Sequence, residues 1–175
     1  MYDPLFGAGT HFLKIILGSA VDEIHTDADP KFGGLNPEPI DKNLGELMKK
    51  VKAGRYDIGL ATDGDADRIG AVDEEGNFGN SHQIFALLLK HYVEDKKLKG
   101  AAGAPLAVVK SATATQMISV LGERYGMPVI ETPVGFRHIC AKLVEHNALM
   151  GGEESGGISF APHVHERDAL LNCLF

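Results

Sequence analysis

The chain has 175 residues, 44% of them hydrophobic, enough to build one domain or two small ones around real cores and too many for default disorder. A formal net charge of −7 argues against nucleic acid and against an anionic membrane surface as partners. It does not argue against a phosphorylated small molecule, because a local arginine and a metal ion govern that contact. Two cysteines, Cys140 and Cys173, make no disulfide framework, no signal peptide is legible, and the run Phe12–Leu17 is too short to span a membrane, so a reducing cytoplasm is the expected setting.

Met1-Tyr2-Asp3-Pro4 offers almost no strand before the turn Gly7-Ala8-Gly9, which leads into Phe12, Ile15 and Ile16 at helical spacing, closed by Gly18. Such a turn can hold phosphate at a helix N-terminus, but close packing is the preferred reason for these glycines. A strand is expected over Val21–Thr26. A loop follows over Asp27–Pro39, with Phe32 as its one inward candidate and Asp27 and Asp29 as turn or cap residues. Asp41 reads as the N-cap of a helix whose stripe is Leu44, Leu47, Met48 and Val51, ending at Gly54.

Tyr56–Ala61 then reads as a buried strand, Ile69–Val72 as another, and Asp73–Asn77 as a turn. Between the strands lies Asp63-Gly64-Asp65-Ala66-Asp67-Arg68. On an extended loop alternate side chains point the same way, so Asp63, Asp65 and Asp67 can converge. Three converging carboxylates repel unless a cation sits among them, and a hard divalent ion, Mg²⁺ before Ca²⁺, suits oxygen ligands. An EF-hand calcium loop comes close, with Glu74 at position twelve, but its sixth position should be Gly where this chain has Arg68, and its flanks should be helices.

The second half repeats the alternation of strand and helix. Asn80 or Ser81 caps a helix with Ile84, Leu87, Leu88 and His91 or Tyr92 inward, and Asp95–Pro105 is a polar connector. Leu106–Val109 is a short strand. Thr113 and Gln116 form a capping box for a helix carrying Met117, Val120 and Leu121 and ending at Gly126. Met127–Ile130 is a strand, Phe136–His146 a helix with Ile139, Cys140, Leu143 and Val144, and Ala148–Met150 a last strand. The glycine-rich stretch 151–157 reads as a loop after that strand, where the carboxylates and Ser155 suit sugar hydroxyls. Arg137 falls in the first turn of its helix, against the dipole, which points to an anionic partner. His163, His165 and Glu166 lack the closed ligand set a zinc site needs. Ser81, Ser111 and Ser119 read as caps or helix surface.

The Asp63–Arg68 stretch resembles the metal-binding loop of the α-D-phosphohexomutases, the phosphoglucomutase and phosphomannomutase group. Gly152-Glu153-Glu154-Ser155-Gly156 resembles that family's sugar loop, although many bacterial members have His where this chain has Gly157. The segment Thr132–Ile139 resembles a family threonine-valine-glycine segment that usually carries Lys near the place of Arg137, so charge is kept there and geometry is not. The segment His163–Asp168 resembles the one that closes the same family domain.

The resemblance covers essentially the whole chain and implies an α/β fold of two consecutive units, each a mixed sheet covered by helices: residues 1–78 with the metal loop and residues 79–175 with the sugar loop. It implies that Asp63, Asp65 and Asp67 hold Mg²⁺, that Arg68 grips the transferring phosphate as the catalytic cation, and that Glu153 and Ser155, with Gly135 and Arg137, bind the substrate; Glu154 should matter least if it only faces solvent. The implied activity is interconversion of hexose 1-phosphate and hexose 6-phosphate, glucose or mannose, through a phosphoserine enzyme and a bisphosphosugar intermediate. Nothing here resembles the family's Ser-His-Asn-Pro nucleophile loop or its final phosphate loop. Both chain ends look cut, so the expectation is a fragment, inactive alone, whose partners include the remaining domains of a longer parent. The alternative from another class is a non-catalytic Mg²⁺- or Ca²⁺-binding module.

Overall fold

The computed structural model describes residues 1–54, 56–99, 106–160 and 162–175. Residues 100–105 of the expected polar connector therefore lie outside the described residues. Division by contact gives two compact units, Met1–Asn80 with Ala169–Leu174, and Ser81–Asp168 with Phe175.

In the first unit, strand β2 (Ile58–Thr62) pairs antiparallel with β3 (Ile69–Asp73), Thr62 opposite Ile69, which fixes the loop between them as the six residues 63–68. Strand β1 (Tyr2–Asp3) joins β2 in parallel and β4 (Phe78–Gly79) joins β3 antiparallel, giving the order β1-β2-β3-β4. Helix α2 (Gly45–Gly54) lays Leu47 and Val51 on this sheet against Ala61 and Val72, with Leu44 just before its first turn, and these side chains are fully buried. Each such Leu or Val contributes about 1.5–3 kcal/mol over its exposed state. Asp41 does not cap α2: Asp41–Asn43 forms a separate 3₁₀ turn, and the helix starts at Gly45.

Two further readings are corrected here. The stretch Val21–Thr26 makes only one bridge, Tyr2 to Glu23, because His25 takes a left-handed backbone (φ 51) that ends any strand. Helix α1 (Phe12–Leu17) buries Leu13 against Tyr2 and Val21, while Phe12, Ile15 and Ile16 face outward. Six residues make too little helix for the expected stripe, and Leu13 is the position that meets the sheet. Helix α6 (Ala169–Asn172) packs on β3 in this unit.

The second unit has the order β6-β5-β7-β8. Strands β5 (Val108–Ser111), β6 (Val129–Thr132) and β7 (Met150–Gly152) are parallel, and β8 (Ile158–Phe160) returns antiparallel to β7. Both sheets are thus mixed and both units α/β. Gly151 and Gly152, expected in a loop, belong to β7. A Cβ on Gly151 would sit 2.5 Å from Ile139 Cγ2, so glycine lets helix α5 (Phe136–His146) approach the sheet. That helix buries Phe136, Ile139 and Leu143, and Val144 faces out. Helix α3 (Ser81–Glu94) turns Phe85, Leu88, Leu89 and Tyr92 inward and Leu87 outward. Helix α4 (Met117–Tyr125) buries Ile118 and Gly122, not Met117 and Val120. The Thr113–Gln116 capping box does not form: Thr115 Oγ1 accepts the Met117 N–H at 3.1 Å, and Thr113 is engaged elsewhere. Among the described residues no helix is long and apolar enough to cross a membrane.

Candidate functional site

The acidic loop converges, though not by strand alternation. Ala66 takes a left-handed backbone (φ 62), its N–H reaches the Asp63 carbonyl at 3.1 Å, and the Asp63 N–H closes on the Arg68 carbonyl at 3.2 Å. This turn brings carboxylate oxygens of Asp63, Asp65 and Asp67 within 4.8 Å of one another. The flanks are strands β2 and β3, and Glu74 is exposed beyond β3, which excludes the helix-loop-helix of an EF-hand.

The three aspartates are not equivalent. Asp63 is buried, and its Oδ1 accepts the N–H groups of Asp67 (2.9 Å) and Arg68 (3.0 Å) while Oδ2 accepts Arg68 Nε at 2.6 Å. Burial pushes its pKa up, but the backbone and side-chain bonds and charge of Arg68 outweigh that and hold it below the ordinary aspartate value. Asp65 is exposed and Asp67 half-buried. The Arg68 guanidinium also pairs with Glu38 (3.5 Å) and Asp67 (3.7 Å).

Residues from outside the loop wall it, with Phe32 and the glycines Gly7 and Gly9 in the inward and packing roles their sequence suggested and Pro37, Ala8 and Ala169 carrying no such signal. The Gly64 N–H donates to the Pro37 carbonyl (3.1 Å), the Ala8 N–H to the Gly64 carbonyl (2.9 Å), and the Ala169 N–H to the Ala66 carbonyl (3.1 Å). A Cβ on Gly64 would touch Phe32 and Pro37 at 3.3 Å, so the Asp27–Pro39 loop, which reads in sequence as connection, holds the acidic loop in place. Gly7 and Gly9 are packing glycines: a Cβ on either would overlap the Gly64 carbonyl or the Tyr2 hydroxyl.

In the second unit β7 and β8 are joined by Glu153–Gly157. The Glu153 N–H donates to the Gly157 carbonyl at 3.1 Å, and Gly156 supplies the left-handed turn (φ 94). Glu153 is buried, and its Oε1 accepts Ser155 Oγ at 3.0 Å and faces Arg167 at 3.6 Å. Ser155 is exposed. Glu154 does not face solvent alone: its carboxylate accepts Ser111 (2.8 Å) and Thr113 (2.5 Å), and its carbonyl accepts Ser81 (2.6 Å). Burial pushes the Glu154 pKa up, but the bonds from Thr113, its own backbone and Ser111 hold it below the ordinary glutamate value. Ser81 and Ser111 are therefore loop anchors, where the sequence suggested caps or helix surface.

Gly135 caps α5 with φ 118, a backbone only glycine takes comfortably, and Arg137 is exposed in the first turn with Nε 3.3 Å from His138 Nε2. Lys110, which interrupts the apolar run of β5, is buried and meets Glu131 at 2.9 Å. That interruption was its only sequence signal.

Residues 1–76 match the family described as phosphoglucomutase/phosphomannomutase, alpha/beta/alpha domain II, and residues 80–175 match domain III. A phosphoglucomutase/phosphomannomutase of Thermococcus kodakarensis is 36% identical over 97% of this chain, which spans 36% of that protein's length. A phosphoglucosamine mutase of Desulforamulus reducens is 40% identical over 73% of this chain, and the match covers 28% of that protein. The crystal structure of a phosphoglucomutase/phosphomannomutase family protein from Burkholderia thailandensis superposes with a TM-score of 0.85 at 25% identity, over 98% of this chain and 37% of that one. The chain belongs to the phosphoglucomutase/phosphomannomutase family and carries its second and third α/β/α domains.

Proposed function

We propose that this chain supplies the metal loop and the sugar loop of a phosphohexomutase that interconverts hexose 1-phosphate and hexose 6-phosphate, with glucose or mannose as the sugar. The observation that carries the reading is the convergence of Asp63, Asp65 and Asp67 in a chain of this family. Those three carboxylates would hold Mg²⁺, which when bound offsets charge on a transferring phosphoryl group. Arg68, already oriented by Asp63 and Asp67, would bind a phosphate oxygen through the part of its guanidinium now turned to Glu38. Glu153 and Ser155 would accept from and donate to hexose hydroxyls, while Gly135 and Arg137 would meet the ligand's phosphate or sugar edge. The nucleophilic phosphoserine would come from outside this chain, and with it a bisphosphosugar intermediate, so the chain alone would turn over no hexose phosphate.

A relative named phosphoglucosamine mutase favours a second choice of sugar, since a carboxylate such as Glu153 suits an ammonium group as well as a hydroxyl. Nuclear magnetic resonance titration of the chain, with Mg²⁺ present, compares glucose 1-phosphate, mannose 1-phosphate and glucosamine 1-phosphate. The proposal expects shifts in residues 153–157 with glucose or mannose 1-phosphate. Shifts with the amino sugar alone would move the assignment to that class, and Mg²⁺ binding without response to any sugar would favour a metal-binding module.

A further inference from the structure

Two neighbouring glycines of the sugar loop have different reasons to be glycine. Gly156 needs its left-handed backbone, φ 94, whereas Gly157 is not among the left-handed residues. A Cβ on Gly157 would instead overlap Arg167 Cδ and stand 3.1 Å from Arg167 Cγ and 3.2 Å from Glu153 Oε1. The Arg167 side chain thus lies across bare backbone at residue 157. Its guanidinium sits 5.3 Å over the ring of Phe136, and Nη1 reaches Glu153 Oε1 at 3.6 Å. The returning chain delivers it there. Ser159 Oγ donates to the Val164 carbonyl (2.8 Å), Cys140 Sγ to the His165 carbonyl (2.6 Å), and the Asp168 N–H to the Ile158 carbonyl (3.3 Å).

We infer that Arg167 is a positioning residue that fixes the direction of the Glu153 carboxylate for the sugar, and that residue 157 is glycine so that Arg167 can cross it. The inference deepens the proposed function and rests on it for the ligand. Both Ser155 and Arg167 engage Oε1, which leaves Oε2 as the oxygen that accepts from a sugar hydroxyl. At 3.6 Å the Arg167–Glu153 contact is longer than a hydrogen bond and Arg167 is 30% exposed, so the pair adds little stability and the effect of Arg167 falls on ligand geometry rather than on folding.

The test is glucose 1-phosphate affinity of the chain by amide resonance titration, alongside the melting temperature. R167M should weaken binding about tenfold, the scale of losing one hydrogen bond from a sugar hydroxyl to a misdirected Glu153 carboxylate, with little change in melting temperature. R167K should recover part of the loss, and G157A should match R167M because its methyl displaces the same side chain. In the E153Q background R167M should have no further effect. Wild-type affinity in R167M, or an undiminished loss in the E153Q background, would overturn the inference. If the wild-type chain binds no hexose phosphate, the functional reading fails separately. A crystal structure of R167M then decides the positioning claim: a displaced Glu153 carboxylate supports it, an unmoved one ends it.

Discussion

The acidic loop and the sugar loop solve the same problem with different donors. Each is a short connection between two antiparallel strands, and their carboxylates, three in the first and two in the second, would repel one another if left loose. In the acidic loop one carboxylate, Asp63, is committed to the protein: two backbone N–H groups and Arg68 hold it, and it is buried. In the sugar loop the committed carboxylate is Glu154, held by the hydroxyls of Ser111 and Thr113. Each loop thus ties one of its acids to its own structure. The anchor of the acidic loop is charged, Arg68, and that of the Glu153–Gly157 loop is neutral, a pair of hydroxyls.

The comparison breaks most visibly inside the acidic loop. Asp63→Ala should destabilise the chain by about 3 kcal/mol in urea unfolding without metal, because it leaves Arg68 and two N–H groups without their acceptor. Asp65→Ala, at an exposed position, should stay within about 0.5 kcal/mol. Equal costs would mean that the loop has no committed member. Next in size is the metal. Mg²⁺ at a hundredfold excess over its dissociation constant should stabilise the chain by about 2.7 kcal/mol. Asp65→Asn should remove most of that gain and Glu153→Gln none of it. Equal stabilisation of wild type and Asp65→Asn by Mg²⁺ would move the metal away from this loop.

Glu154→Gln should cost about 1–2 kcal/mol, since Ser111 and Thr113 both donate to Oε2 and an amide oxygen there lacks the charge that strengthens the two bonds. The exposed Glu166 offers the control, with Glu166→Gln close to silent. The smallest effect is in acid. Glu154 is held below its ordinary 4.5 in the folded state, so its stabilisation is complete above that value and is lost as pH falls through the lower folded value. Glu154→Gln should flatten that part of the stability curve below pH 4.5, and an unchanged acid slope would show that another carboxylate carries it.

Much of this was legible in the residues. Leu44, Leu47 and Val51 announced the helix that covers the first sheet, and the alternation of strand and helix announced α/β. Asp63, Asp65 and Asp67 declared themselves by spacing, even though the turn at Ala66, not strand alternation, gathers them. What failed to show was long-range. Nothing in Asp27–Pro39 says that Pro37 and Phe32 will wall the acidic loop, because that contact depends on where a connection folds back. Ser111 and Thr113 looked like capping residues because a hydroxyl before a helix usually caps, and only the fold brings Glu154 to them. Leu87, Val120 and Val144 misled for a different reason. Apolar spacing marks a helix but does not say which edge of a broad stripe meets the sheet.

The most direct test of the account is a two-ligand amide resonance titration of this chain, Mg²⁺ first and glucose 1-phosphate second. The account predicts that Mg²⁺ moves residues 63–68 and leaves 153–157 in place, and that the sugar phosphate then moves 153–157. Mg²⁺ shifts centred on Glu153 and Glu154, or no response of 153–157 to the sugar phosphate, would contradict the division of labour between the two loops.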